Sequence, residues 1–225
     1  MKTLFTKRNT FFSFALIALL VGAAAVAVFY EPADNNALNG GEPQINRVQA
    51  SYIVDVYNPA ALVGDVDYVF AARVDKMTGN TYKDPVMIED EFGKETIEVT
   101  NSHTNYMITV LDNIKGELVV GESIPVEKAG GLSKDGKTIT LHENDSLPEV
   151  GKVYIFLAYT QPDGTLQISG PNSNIEIVSS GSLKADSNLS VKDSSEYLKM
   201  VNAYENQIIR ERERTVSKYD VKFEN

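Results

Sequence analysis

Apolar and polar residues alternate along much of the chain with a period of two, and the alternation is punctuated by glycine, proline and Asx turns. Tyr68–Val74 (YVFAARV) is apolar on both faces apart from Arg73, as a central strand buried on two sides would be. Tyr106, Ile108 and Val110 alternate with Met107, Thr109 and Leu111, and Ile124 and Val126 resume the pattern after Gly121. Ile139 and Leu141 follow Lys134–Lys137 (KDGK), whose Asp135-Gly136 predicts a type I′ hairpin. Val153–Tyr159 (VYIFLAY) is the most hydrophobic strand and is predicted at the centre of the core. Asp163-Gly164 then turns the chain into Thr165–Ser169, and Ile175–Val178 closes the series. About six or seven short strands follow from this pattern. No helix-length segment separates them, so a small closed barrel or sandwich suits the spacing better than a parallel sheet.

Two segments carry helical signals instead. Asn58–Asp67 (NPAALVGDVD) predicts a short helical turn with Pro59 at its first position. Near the C-terminus, Asp193 and Glu196 approximate a capping box. Tyr197, Leu198, Val201, Tyr204, Ile208 and Ile209 then recur at helical spacing, and the charged run Arg210–Arg214 (RERER) ends the pattern. The expectation is an amphipathic helix of about twenty residues that packs on the β body or meets a partner.

The rest of the chain sets the domain boundaries. Lys2, Lys7 and Arg8 precede Phe11–Tyr30, an uncharged run of 20 residues that stops at Glu31-Pro32. At about 1.5 Å per residue a helix of this length spans a bilayer core. Residues 1–30 are therefore a signal or transmembrane anchor. Ala23-Ala24-Ala25 and Ala25-Val26-Ala27 offer small-x-small cleavage sites, whereas the apolar run through Val28, Phe29 and Tyr30 favours a retained anchor. Retention makes a single-pass protein of the cell membrane with its body extracytoplasmic, and cleavage makes a secreted one. Residues 31–50 read as a flexible stalk, 51–182 as the β-barrel domain, and 183–225 as a polar linker with the C-terminal helix. Inside the body, Met77–Glu98 is predicted as a long mobile connection between strands.

The formal charge of −10, with 31 acidic residues against 21 Lys and Arg, repels phosphate backbones, and no arginine-rich run with interleaved aromatics offsets it. Nucleic acid is excluded as a partner on this ground. Cysteine is absent, which removes disulfides, thiolate nucleophiles, zinc–thiolate sites and a lipoprotein anchor. An exported protein built without cysteine fits a Gram-positive envelope.

Candidate chemistry is sparse. His103 and His142 lie on different strands or strand edges without metal-ligand spacing, so both read as surface histidines. Asp90–Glu95 (DEFGKE) and His142–Ser146 (HENDS) lack the calcium-loop pattern and read as solvated acidic loops. Ser179–Lys184 (SSGSLK) fits neither nucleophile motif that it resembles. Gly130-Gly131 lacks the Lys-Ser/Thr of a phosphate loop. No catalytic, cofactor-binding or metal residue is assigned and no cofactor is expected. Tyr52, Tyr57, Tyr82 and Tyr106, among 11 tyrosines, sit where a binding face would lie.

Leu62–Val74, Thr104–Gly131 and Leu147–Tyr159 together resemble a group of exported or membrane-anchored Gram-positive proteins of unassigned function. In that group a D-Y-V-F strand, a V-L-x-x-I-K-G corner, a glycine pair and a G-x-x-Y-I-F-L strand occur in this order. The resemblance implies a small Greek-key barrel of OB or netrin-like type over residues 58–179. Within the corner, Ile114 is expected to cover the barrel end, Lys115 to point to water and Gly116 to supply a positive φ. The functional expectation is a membrane-tethered, non-enzymatic interaction module of the envelope that binds a protein or cell-wall partner. Two alternatives remain open. One is an envelope hydrolase using a carboxylate pair drawn from Glu143, Asp145, Asp90 and Glu98; the other is a secreted inhibitor or immunity-type protein.

Overall fold

The computed structural model describes residues 42–89, 91–177 and 191–222 of the 225. In chain order its elements are β1 (Gln44–Val48), α1 (Pro59–Asp65), β2 (Tyr68–Glu89), β3 (Glu95–Lys115), β4 (Ser123–Ala129), β5 (Gly131–Leu132), β6 (Thr138–His142), β7 (Val153–Thr160), β8 (Leu166–Ile168), β9 (Asn174–Glu176) and α2 (Ser195–Glu205). The chain is mainly β, with 46% of it in strands. Among the described residues no helix is long and apolar enough to cross a membrane. The predicted membrane segment and Ser179–Lys184 lie outside those residues.

The main sheet runs β2-β3-β4-β8-β7-β9, and β2 also pairs with β7. The pairings therefore return to their starting strand. All are antiparallel except β4 with β8. Opposite Val69–Phe70 and Ala71–Ala72 of β2, the partner strand β3 carries the extra residues Ile114 and Leu111, bulges that let a strand bend. Period-two alternation divides the apolar residues of Tyr68–Val74 in β2 and of Val153–Tyr159 in β7 between two cores. Tyr68, Phe70, Ala72 and Val74 join Tyr154, Phe156 and Ala158 on one face, with Ile108, Ile124, Leu166 and Ile168. Val69, Ala71, Ile155 and Leu157 face the opposite way, against Leu62 and Val63 of α1, Val66 at its end, and Tyr197, Met200 and Ala203 of α2. The predicted two-sided burial of these strands is thus met by helices on one side.

The interval Met77–Glu98 is largely strand rather than a mobile connection. Beyond Lys76, β2 and β3 continue as a two-stranded ribbon, from Gly79 opposite Asn105 to Glu89 opposite Glu95. Each strand of such a ribbon has one free edge, and this is where glycine and proline are tolerated, so Gly79 and Pro85 do not break it. Met77, Val86, Met87 and Phe92 are exposed along it. The interval read as a flexible stalk also contains structure, because Gln44–Val48 pairs in parallel with Thr138–His142 in a separate three-stranded sheet, β1-β6-β5. Among the described residues Gly136 has a positive φ but Asp135 does not. A type I′ turn requires both, so the β5–β6 turn is of another kind; in it Asp135 accepts from Ser133 and the Lys137 amide.

The C-terminal helix is shorter than its pattern suggested. Ser194, rather than Asp193, is the N-cap and accepts from the Tyr197 amide; the helix ends at Glu205. Beyond it the chain is extended, and alternate residues of RERER turn the same way. Arg212 and Arg214 donate to the carbonyl oxygens of Gly64, Asp65 and Val66, the free acceptors at the end of α1. Arg210 pairs with Asp65 at 2.7 Å, and Arg214 pairs with Asp67 at 3.1 Å. Further on, the Ser217 amide donates to the Tyr68 hydroxyl and the Val221 amide to the Glu117 carbonyl. Lys115, expected in water, donates to Val63 and Val66 carbonyls at 2.6 and 2.7 Å. Gly116 does take a positive φ of 94°, and a Cβ there would overlap the Tyr68 ring.

This C-terminal strap is pressed so closely on α1 that a Cβ at Gly64 would meet the Ile208 carbonyl oxygen. Gly64→Ala should dislodge the strap while leaving the sheet, at a cost of about 1–3 kcal/mol; limited proteolysis should then cut within residues 206–217 faster than in the parent. Acid should act at the same place. Burial alone would raise the Asp65 pKa, but the Tyr159 hydroxyl and Arg210 override it and hold the carboxyl below its ordinary value. A carboxyl depressed on folding contributes stability above its unfolded pKa and loses it as pH falls through the folded value. Amide exchange in residues 208–214 should therefore accelerate below about pH 4, and Asp65→Asn should remove that step.

Candidate functional site

In β4, residues 124, 126 and 128 share one parity, and Ile124, Val126 and Lys128 all point into the core. Lys128 is fully buried. Its Nζ lies 2.7 Å from each carboxylate oxygen of Asp145, 2.9 Å from Ser173 Oγ and 3.2 Å from the Gly170 carbonyl. Burial pushes the Lys128 pKa down, and the Asp145 carboxylate opposes that shift. The ammonium has three N–H donors, and these acceptors take the place of its hydration shell. The alternation in β4 was the available signal for this residue. The composition of His142–Ser146 was not: the expectation of a solvated acidic loop fails at Asp145, which is buried and paired.

One cation thus ties β4 to two separate loops, residues 143–146 and 170–174. The first loop is held again by Arg47 of β1, which donates to the carbonyls of His142 and Asp145. The second loop reaches a third segment, because Asn172 donates its side-chain amide to the Val56 carbonyl at 2.9 Å. Asn144 and Asn172 sit at φ of 61° and 59°, left-handed positions that asparagine tolerates better than most residues.

The first and third of these segments line a pocket of about 360 Å³, with Gln49, Ser51, Tyr52, Tyr57, Glu143 and Asn144 beside Ala50 and Val56. Tyr57 is 67% exposed, and its hydroxyl accepts from Asn144 Nδ2 at 3.0 Å. Tyr52 is 39% exposed and meets His142 edge-on, with centroids 6.2 Å apart. Its ring passes so close to Gly170 that a Cβ there would lie 3.3 Å away. Burial first, and then the charges of Asp145 and Glu143 with Tyr57, raise the pKa of the Tyr52 hydroxyl. A second pocket of about 180 Å³ shares Val56 and Tyr57 and is walled by Leu62, Leu157, Ile175 and Met200, with Lys199 and Asn172 also lining it.

Of the four tyrosines proposed as a binding face, the structure therefore brings two together. Tyr106 is buried among Ile108 and Val126 in the core, and Tyr82 lies in the ribbon opposite Ser102. Of the four candidate carboxylates, Glu143 lines the pocket and Asp145 is spent on Lys128. Asp90 and the side chain of Glu98 lie outside the described residues.

The histidines do lie on different strands, β3 and β6, but they converge and neither is fully exposed. His103 is 7% exposed, and both His103 and His142 line a small pocket of about 80 Å³ between Val48, Gly130 and Leu141. His103 Nδ1 lies 2.9 Å from Glu127, which also pairs with Lys83 of the ribbon. Burial lowers the His103 pKa although Glu127 opposes it. His142 Nδ1 is buried without a hydrogen-bond partner. No group of three metal-binding side chains occurs among the described residues. The β5–β6 pairing and the His103–Gly130 bridge bring His142 close to β3, a non-local contact that neither spacing nor composition signals.

No protein-family model, no curated protein and no solved structure matches this chain.

The ion pair can be tested directly. Lys128→Met leaves the Asp145 carboxylate buried and unpaired and should cost about 3–5 kcal/mol in urea unfolding, whereas Lys128→Met with Asp145→Leu should recover most of the loss. Both variants should also change the Tyr52 environment, read as a shift of its ring resonances, because the loops around it lose their common tie.

Proposed function

We propose that the protein is a membrane-tethered, extracytoplasmic and non-enzymatic interaction module of a Gram-positive envelope, which offers the Tyr52–Tyr57 pocket to a protein or cell-wall partner. The observation that carries this reading is the pair of exposed tyrosine rings at a concave site whose loops are pinned by buried polar bonds. Exposed aromatic side chains held in a fixed geometry lose little freedom on binding, which is why they dominate interaction surfaces. The returning strand pairings support a small Greek-key barrel of OB or netrin-like type as the scaffold, a fold whose face and loops serve as binding surfaces. The basic and then apolar start supports the tether, and the absence of cysteine supports the compartment. Among the described residues Glu143 is the one candidate carboxylate that lines the pocket, because Asp145 is turned to Lys128, and this supports recognition as the reading.

A second reading, the inhibitor or immunity-type protein, gains support from the ribbon. Val86 and Met87 are exposed on a hairpin that reaches beyond the main sheet, as an inserting element would be. The two readings use different surfaces. Pull-down from intact envelopes with the full chain should recover a partner that Tyr57→Ala binds at least about fivefold more weakly. Val86→Glu with Met87→Glu should leave that recovery unchanged. Equal recovery by Tyr57→Ala and loss by the ribbon variant would replace the first reading with the second.

A further inference from the structure

We propose that the Tyr52–Tyr57 pocket takes an aliphatic ammonium group, with the charged head between the two tyrosine rings and Glu143 and the apolar stem directed towards Val56 and Met200. This rests on the reading of the pocket as the interaction site and adds the chemical class of what enters it.

The head is assigned by charge. Glu143 is exposed at the pocket wall, and no ion pair among the described residues engages it. The other lining side chains with polar atoms, Gln49, Ser51, Asn144 and the two tyrosines, are uncharged. The two cations bonded to this region are turned elsewhere. Arg47 donates to the His142 and Asp145 carbonyls, and Lys128 is buried on Asp145. What remains facing the pocket is a carboxylate beside two aromatic rings, and ring faces carry negative potential that attracts a desolvated cation. Asn144 fixes the Tyr57 hydroxyl and His142 meets Tyr52 edge-on, so both rings are oriented before a ligand arrives.

The stem is assigned by the neighbouring cavity. Val56 and Tyr57 line both pockets, and the second is walled by Leu62, Leu157, Ile175 and Met200. Lys199 lines this second pocket and repels a cation, which sets the direction: charge towards Glu143, hydrocarbon towards Met200. An anion would meet Glu143, and a neutral ligand would leave that carboxylate unmatched.

The ammonium can come from a lysine side chain of a protein or wall peptide, or from a quaternary choline-type group, and the two can be separated. The full chain is titrated at low salt with N-acetyl-lysine amide, with choline and with dimethylbutanol, the uncharged carbon isostere of choline, while the Tyr52 and Tyr57 ring resonances are followed. The expected result is saturable binding of at least one cation, with the isostere at least about fivefold weaker. Tyr57→Ala should weaken cation binding by about twofold to thirtyfold, and Glu143→Gln should weaken it and flatten its salt dependence. Preference for choline assigns the quaternary source, and preference for the lysine amide assigns the primary one. Equal binding of the isostere, a Glu143→Gln variant with unchanged affinity, or no saturable shift with either cation overturns the proposal. If Tyr57→Ala still loses the envelope partner in that last case, the interaction site stands and only the ligand class is wrong.

Discussion

A single buried ammonium determines the arrangement of the candidate site. Lys128 has no contact with the pocket's interior, yet its bonds to Asp145, Gly170 and Ser173 hold the loop that presents Glu143 and Asn144 against the loop that abuts Tyr52. Burying an ion pair is seldom the cheapest way to gain stability, since apolar replacements of similar volume are often as good. What such a pair adds is direction: the ammonium fits one arrangement of acceptors, whereas apolar packing tolerates several. The pocket is thus a by-product of how β4 satisfies an inward lysine.

A second polar system works by the same logic at the other end of α1. The helix has seven residues, too few to be stable alone, and its last carbonyls would be unpaired beneath packed chain. Arg212, Arg214 and Lys115 supply the missing donors from two distant parts of the sequence. Desolvation pulls the Lys115 pKa down to about 8, with Arg214 adding to the effect. The two carbonyls within hydrogen-bond distance of its Nζ favour the charged form. The result is a cationic collar around a helix terminus, where the dipole favours positive charge.

Much of this was legible in the alternation of side chains. Strands buried on two faces betray themselves as apolar runs, so Tyr68–Val74 and Val153–Tyr159 could be placed at the centre, and Asn58-Pro59 marked the start of α1. Long-range polar pairing was not legible. RERER has the same composition whether it ends a helix in water or runs extended with alternate arginines turned inward, and only the position of Asp65 and Asp67 in space decides between them. The ribbon was hidden for a related reason: Gly79 and Pro85 are breakers inside a sheet but are harmless on a strand with an open edge. At the site, Tyr52 and Tyr57 were identifiable as aromatic candidates, while their convergence with Glu143 depends on a lysine 15 positions before it in the chain.

The strap over α1 also orders events in time. A polypeptide is made from its amino end, so residues 210–221 emerge after every strand they fasten. Until they arrive, the Tyr68 hydroxyl and the Gly64 and Asp65 carbonyls lack the partners that the strap brings. A product cut short before Arg210 could complete its strand pairings and still keep that seam open to proteases. Closure of the seam therefore has to wait until residues 210–221 have been made, after the strands it fastens are already in place.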